Sequence, residues 1–141
     1  MPPTFLYEFV GRVLVYVGCP VVPDATEWDD HIEALRAYCK AEPDLRGLIW
    51  GGGSKLTPTQ RMQITETMPK GARIAVVTNS AVDRGMVVAI GWFVRGIRAF
   101  APGHETEAIA HLDLMPSEAA IVRSVWLRLR AEMDRGVSRT G

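Results

Sequence analysis

The stretch Arg73-Ile74-Ala75-Val76-Val77-Thr78-Asn79-Ser80 decides how this chain folds. A strand with one wet face alternates apolar and polar residues, whereas a strand covered on both faces has no need to. The run from Arg73 to Thr78 is apolar almost throughout, so it reads as a central strand of a parallel sheet. Asn79-Ser80 then caps a helix, with Asp83 at its third position. Val82, Met86, Ala89, Ile90 and Phe93 supply the inner face of that helix, and Gly96 closes it.

The same strand–helix unit recurs upstream. Leu45 to Trp50 is a short apolar strand, followed by Gly51-Gly52-Gly53-Ser54. Thr57-Pro58-Thr59-Gln60 is a helix start: Thr57 suits the N-cap, Pro58 the first helical position and Gln60 the reciprocal capping position. This helix is expected to run to about Met68, before Pro69 and Gly71. Earlier still, Thr4 to Val10 alternates, with Phe5, Tyr7 and Phe9 on one side and Leu6, Glu8 and Val10 on the other. Gly11-Arg12 is a tight reversal into a second strand, Arg12 to Val17, so the chain opens with a hairpin. Asp24 starts a helix with Glu27 as its capping partner, and Trp28, Ile32, Leu35 and Cys39 form its buried stripe up to Glu42-Pro43.

Downstream, Ile97 to Ala101 is the last strand, and Glu105 to Leu112 is a short helix carrying Ala108, Ile109 and Leu112. Pro116 opens a longer helix with Val122, Val125, Trp126, Leu129 and Met133 on one stripe, and Arg135 to Gly141 reads as a frayed tail. A hairpin followed by strand–helix alternation predicts an α/β fold. Its mixed sheet of about five strands packs against about four helices, with an extra C-terminal helix. No repeat or linker interrupts the 141 residues, so they read as one domain: a core over 4–114, a C-terminal helix over 115–135 and a tail over 136–141.

Bulk composition narrows the classes. Hydrophobic residues make up 48% and charged residues 23%, as in globular domains. Sixteen basic and sixteen acidic residues give a formal net charge of zero, which argues against a dedicated nucleic-acid binder and against a disordered chain. Cys19 and Cys39 form no CxxC pair and read as free thiols in a reducing cytoplasm. Met1-Pro2-Pro3-Thr4 does not look like a signal peptide. The longest apolar run, Met86 to Val94, is far short of the roughly 20 residues of a spanning helix. A cytoplasmic protein with no membrane span is expected.

Catalytic and metal-binding patterns find no support. His31, His104 and His111 have no ligand spacing, and those in or near the short helix read as surface residues; no metal and no cofactor are expected. Ser54 and Ser80 lack the Gly-x-Ser-x-Gly elbow of a hydrolase. Ser54-Lys55 reverses the Lys-Ser/Thr order that ends a P-loop, so the triple glycine reads as a loop leaving a strand, or as a nest of N–H groups for an anion. No catalytic residue emerges, and the chain is expected not to be an enzyme.

The order of elements and four motifs carry a resemblance. The Arg73–Ser80 stretch runs into Ala81-Val82-Asp83-Arg84-Gly85-Met86, and Gly91-Trp92-Phe93 and Ile97-Arg98-Ala99-Phe100 follow. The last is the short helix Glu107-Ala108-Ile109-Ala110-His111-Leu112. Over roughly residues 4 to 114 the chain resembles the STAS superfamily, in its SpoIIAA-like branch of bacterial anti-sigma-factor-antagonist-like domains. The resemblance implies a non-enzymatic signalling protein that binds a protein partner, such as a kinase or an anti-sigma-like regulator. It also implies phosphorylation on Ser or Thr at the start of the helix after the third strand. Here that start offers Ser54, Thr57 and Thr59, although Gly51-Gly52-Gly53-Ser54 stands where antagonists carry an Asp followed by a Ser/Thr pair.

A contact surface or anion site is expected at Gly51, Gly52, Gly53 and Ser54, beside Ser80 and Arg84, where adjacent strands end. Trp126, Leu129 and Met133 either pack onto the sheet or form a homodimer contact. The alternative that the SpoIIAA-like resemblance implies is binding of a small apolar or lipid-like ligand, held between the sheet and the helices bearing Met62, Met68, Met86 and Phe93.

Overall fold

Two antiparallel strands begin the fold. β1 (Phe5–Val10) pairs with β2 (Val13–Gly18) in a register that sets Val10 opposite Val13 and Phe5 opposite Gly18. Gly11 supplies the positive φ, 57°, that a two-residue hairpin turn requires. The computed structural model describes residues 5–18, 21–51, 57–81, 84–85 and 96–140. β2 then pairs in parallel with β3 (Arg46–Trp50), β3 with β4 (Ile74–Val77), and β4 with β5 (Ile97–Phe100). The spatial order follows the chain, β1 to β5, giving the expected α/β sheet that is mixed only at its hairpin edge.

Parallel neighbours need crossovers, and helices provide them. α1 (Ala25–Ala41) joins β2 to β3, and α2 (Pro58–Thr67) joins β3 to β4. Ala81, Arg84 and Gly85 are helical after β4; the remaining inner-face residues expected there, Val82, Met86, Ala89, Ile90 and Phe93, lie outside the described residues. α3 (Glu105–His111) and α4 (Pro116–Thr140) follow β5. α4 runs past Arg135, where fraying was expected. Once its stripe is anchored, each further residue adds a hydrogen bond, and the one glycine, Gly136, costs only about 1 kcal/mol.

The two faces of the sheet carry separate cores. Leu14, Tyr16 and Ile74 meet Phe5 from β1, Trp28, Ile32 and Leu35 from α1, and Ile64 with Met68 below α2. Val13, Val15, Val17, Leu48, Ala75 and Val77 point the other way, onto Ala108 and Ile109 of α3 and the Val122–Met133 stripe of α4. Asp24 caps α1, its carboxylate accepting from the N–H groups of Thr26 (3.1 Å) and Glu27 (3.2 Å).

Arginines tie the long-range elements together at the end of the sheet where the parallel strands start. Arg12 Nε and Nη2 donate to both oxygens of Glu118 on α4, each at 2.8 Å, and Nη1 donates to Asp44 at 2.7 Å. This bidentate pair, helped by the Met115 N–H, holds the Glu118 carboxyl down to about 2. Arg46 donates to the carbonyls of Leu112 and Asp113, pinning the α3–α4 turn to the start of β3.

His31 is fully buried beside Trp28, a position that the helical spacing did not single out. Its ring lies 4.3 Å from that of Tyr7, 5.3 Å from Phe5, 5.4 Å from Tyr16 and 5.6 Å from Trp28, centroid to centroid. Neither ring nitrogen has a hydrogen-bond partner among the described residues. Burial therefore disfavours the imidazolium and lowers its pKa to about 4. His111 is half-buried rather than on the surface, and its Nε2 donates to the Gly96 carbonyl at 2.7 Å.

Gly96 marks the entry to β5 at φ 99°, and a Cβ there would sit 2.4 Å from the Ala72 carbonyl oxygen. Gly96→Ala is expected to destabilise the chain by about 3 kcal/mol, since backbone strain and overlap act together; urea unfolding at neutral pH measures it. The buried His31 predicts a second effect. The unfolded chain binds a proton near pH 6.5 and the folded chain only near 4. Stability is thus full above the unfolded pKa and falls as the pH drops from 6.5 to 4. The loss is on the order of 3 kcal/mol. His31→Phe should flatten that limb in urea midpoints taken across the range.

Candidate functional site

β3 and β4 are neighbours, and both end at the same edge of the sheet. Gly51 leaves β3 with its N–H donating to the Val77 carbonyl at 2.9 Å. A Cβ at Gly51 would meet Val76 Cγ1 at 3.4 Å, an ordinary packing contact, so nothing in the described backbone demands glycine at this exit. One residue past β4, Thr78 is fully buried, its N–H donating to the Phe100 carbonyl at 3.0 Å.

The chain turns into its next helix through Thr78 and Ser80. The Ser80 N–H donates to Thr78 Oγ1 at 3.2 Å, and the Arg84 N–H to the Ser80 carbonyl at 3.0 Å. Arg84 Nη1 reaches back to the Thr78 carbonyl at 2.9 Å. Ser80 and Arg84 thus meet at the end of β4, next to the exit of Gly51 from β3. Gly52, Gly53 and Ser54 lie outside the described residues.

α2 begins as its sequence predicts. Thr57 Oγ1 accepts from the Gln60 N–H at 3.1 Å, while Gln60 Oε1 accepts from the Thr57 N–H at 2.9 Å. Both halves of the capping box are present, with Pro58 in the first turn. The Thr57 hydroxyl is therefore committed to the cap, whereas Thr59 stands exposed on the first turn. The N–H groups of that turn and the helix dipole favour negative charge beside them.

Comparison with family models, with curated proteins and with solved structures finds no match. The chemistry of this edge has to be read from its own residues. It presents the half-buried Arg84 guanidinium and the exposed Thr59 hydroxyl at a helix start, which are groups suited to recognition. Among the described residues no three His, Cys, Asp or Glu side chains gather as a metal site, and no helix is long and apolar enough to cross a membrane. Cys39 lines a groove of about 370 Å³ between α1 and α2 with Arg36, Lys40, Gln63 and Glu66, and burial pushes its thiol pKa up, away from reactivity.

The C-terminal helix answers differently from one of its two expectations. Trp126, Leu129 and Met133 are buried in this chain's own core, against the sheet. The packing alternative describes them; a homodimer contact through these three side chains would require α4 to leave the sheet. The outer side of α4 exposes Ile121 and Leu127 instead.

One cluster went unseen in the sequence. The Arg130 guanidinium carbon lies 3.6 Å above the centre of the Trp50 ring and 5.7 Å from that of Trp126. The two indoles meet edge to face at 6.3 Å. Half of this was legible, because Trp126 and Arg130 are four apart on one helix. The other half joins residues 50 and 130, which no local pattern connects.

Removing the capping hydroxyl tests how α2 is held. Thr57→Ala is expected to cost about 1 kcal/mol and Thr57→Ser much less, as read from urea midpoints of the three proteins.

Proposed function

We propose that this chain is a non-enzymatic, STAS-like regulatory domain of the bacterial cytoplasm. It acts by binding a protein partner at the C-terminal edge of β3 and β4. The partner is a kinase or an anti-sigma-like regulator, and phosphorylation at the start of α2 switches the contact. The observation that carries this reading is the capped start of α2 directly after the third strand, with Thr59 exposed beside the Thr57 cap. That is where the resemblance leads one to expect a switch.

The electrostatics suit such a device. A phosphoryl group adds close to two negative charges, and the first helical turn offers N–H donors and the positive end of the dipole. On a chain of zero formal net charge, this changes the field at that edge more than it changes the fold. A partner surface with acidic groups would be repelled, and one with arginines attracted.

The apolar-ligand alternative is less favoured. Met68 is buried and lies within 3.6 Å of where a Cβ on Gly47 would stand, so it fills core space, and Met62 is exposed. Met86 and Phe93 lie outside the described residues.

Protein purified from its native host should carry a phosphate on Ser54, Thr57 or Thr59, located by peptide mass spectrometry, and should retain a protein partner. Replacing all three by Ala should remove the phosphate and change partner capture. Because Thr57→Ala also loosens the cap, the pair Ser54→Ala and Thr59→Ala serves as the variant with the cap intact. Unchanged partner binding and an unchanged kinase response in the triple variant would refute the switch.

A further inference from the structure

We propose that Arg130, stacked on Trp50, is the anchor of a binding site for a small-molecule oxyanion, a phosphate or carboxylate group, on the face of the sheet opposite α2. The first observation is a contrast among arginines. Among the described residues, Arg12, Arg46, Arg84 and Arg130 are the half-buried ones. Arg12 binds Glu118 and Asp44, Arg46 binds the Leu112 and Asp113 carbonyls, and Arg84 binds the Thr78 carbonyl. Arg130 touches two indoles and has no acceptor among the described residues. Asp134, one helical turn along, is exposed and forms no ion pair with it.

A stacked guanidinium is a prepared one. The ring sits against the guanidinium carbon, and no described acceptor takes up the N–H groups, whose fork matches the two oxygens of a carboxylate or phosphate. The stack also removes rotamer freedom before any ligand arrives, which lowers the entropy cost of binding. Arg128, two residues earlier, shows the other outcome. It is bonded to Glu8 at 2.6 Å and lies 3.6 Å from Glu132, so its charge is already answered.

The second observation is position. α4 starts near Arg12 at the beginning of β2, through Glu118. From Glu118 to Arg130 the helix rises roughly 18 Å, about the length of the sheet. Arg130 therefore reaches the ends of the parallel strands, at Trp50, the last residue of β3. Open α/β sheets place ligands outside that edge. Trp50 pairs with Val17 on one side and Val77 on the other, so the stack lies over inner strands rather than at the margin.

The test uses the whole chain and nuclear magnetic resonance of the Arg130 Nε–H and the Trp50 indole N–H. Inorganic phosphate and acetate are titrated separately, at an ionic strength held constant with sodium chloride. Both signals should shift saturably in at least one series, and the stronger series says whether the natural group is phosphoryl or carboxylate. Arg130→Gln should abolish the saturable shift of the indole. Arg130→Lys, which keeps the charge but loses the planar fork, should weaken binding at least tenfold; it also serves if the Gln variant fails to fold. Shifts that are linear and equal for all anions, or a Lys variant that binds as tightly as the natural chain, would overturn the proposal.

Discussion

All six residues of β2 are buried, and this one strand dictates the layers on either side. Val13, Val15 and Val17 need cover on one face; Leu14 and Tyr16 need it on the other. A hairpin alone gives neither. The sheet must therefore sit between two helical layers, α1 with α2 below and α3 with α4 above. Each buried valine or leucine is worth roughly 1.5–3 kcal/mol relative to exposure, so leaving either face of β2 open would cost a large part of a domain's net stability. That explains why the chain continues past β5. Without α4, the valine face of β2 would have no lid.

The need for that lid organises the charges. α4 must find β2 from more than a hundred residues away, and Arg12 marks the place. It sits at the hairpin turn, binds Glu118 in two-fold fashion and takes Asp44 as well. Arg46 adds a second clamp one strand over. At the end where the parallel strands start, guanidinium groups are thus bound to protein acceptors. Where the strands finish, the pattern changes. Arg84 spends one nitrogen on a strand-end carbonyl, and Arg130 sits over an indole. Arg12 and Arg46 are bound to acids and carbonyls at one end of the sheet, Arg128 is answered by Glu8 of β1, and Arg130 alone of the half-buried arginines has no acceptor among the described residues. Chain direction accounts for this: α4 starts beside Arg12, runs along β2, and brings Arg130 to the end of β3 at Trp50.

Much of this was written locally. The Ile74–Val77 run, the Thr57–Gln60 cap and the Phe5/Tyr7/Phe9 alternation each declare themselves within a few residues, because hydrogen-bonding range and side-chain period are local properties. So the layers, the hairpin and the start of α2 could be read directly. What escaped was set by distance in space. His31 differs from an exposed helical polar residue only because Phe5 and Tyr7 of β1 close over it. The burial of Trp126, Leu129 and Met133 follows from the valine face of β2, and their stripe alone could not choose between sheet and partner. The stack of Arg130 on Trp50 joins the last turns of the chain to its third strand. Local pattern announces that a face will be buried; the topology decides against what.

Zero net charge takes on a narrower meaning in this light. Sixteen positive and sixteen negative groups cancel in sum but not in place. Two acids are bound where the parallel strands start: Glu118 and Asp44 are held below their usual pKa range by Arg12. Such acids are fixed as anions at neutral pH and cannot turn toward the other end. A chain with no net charge can therefore still offer an edge where donors outnumber acceptors, without the long basic stripe of a polyanion binder. An edge of that kind has too few charges to hold a partner by attraction alone. It would recognise a single anionic group placed against a helix start or an indole, with shape and backbone donors supplying the rest.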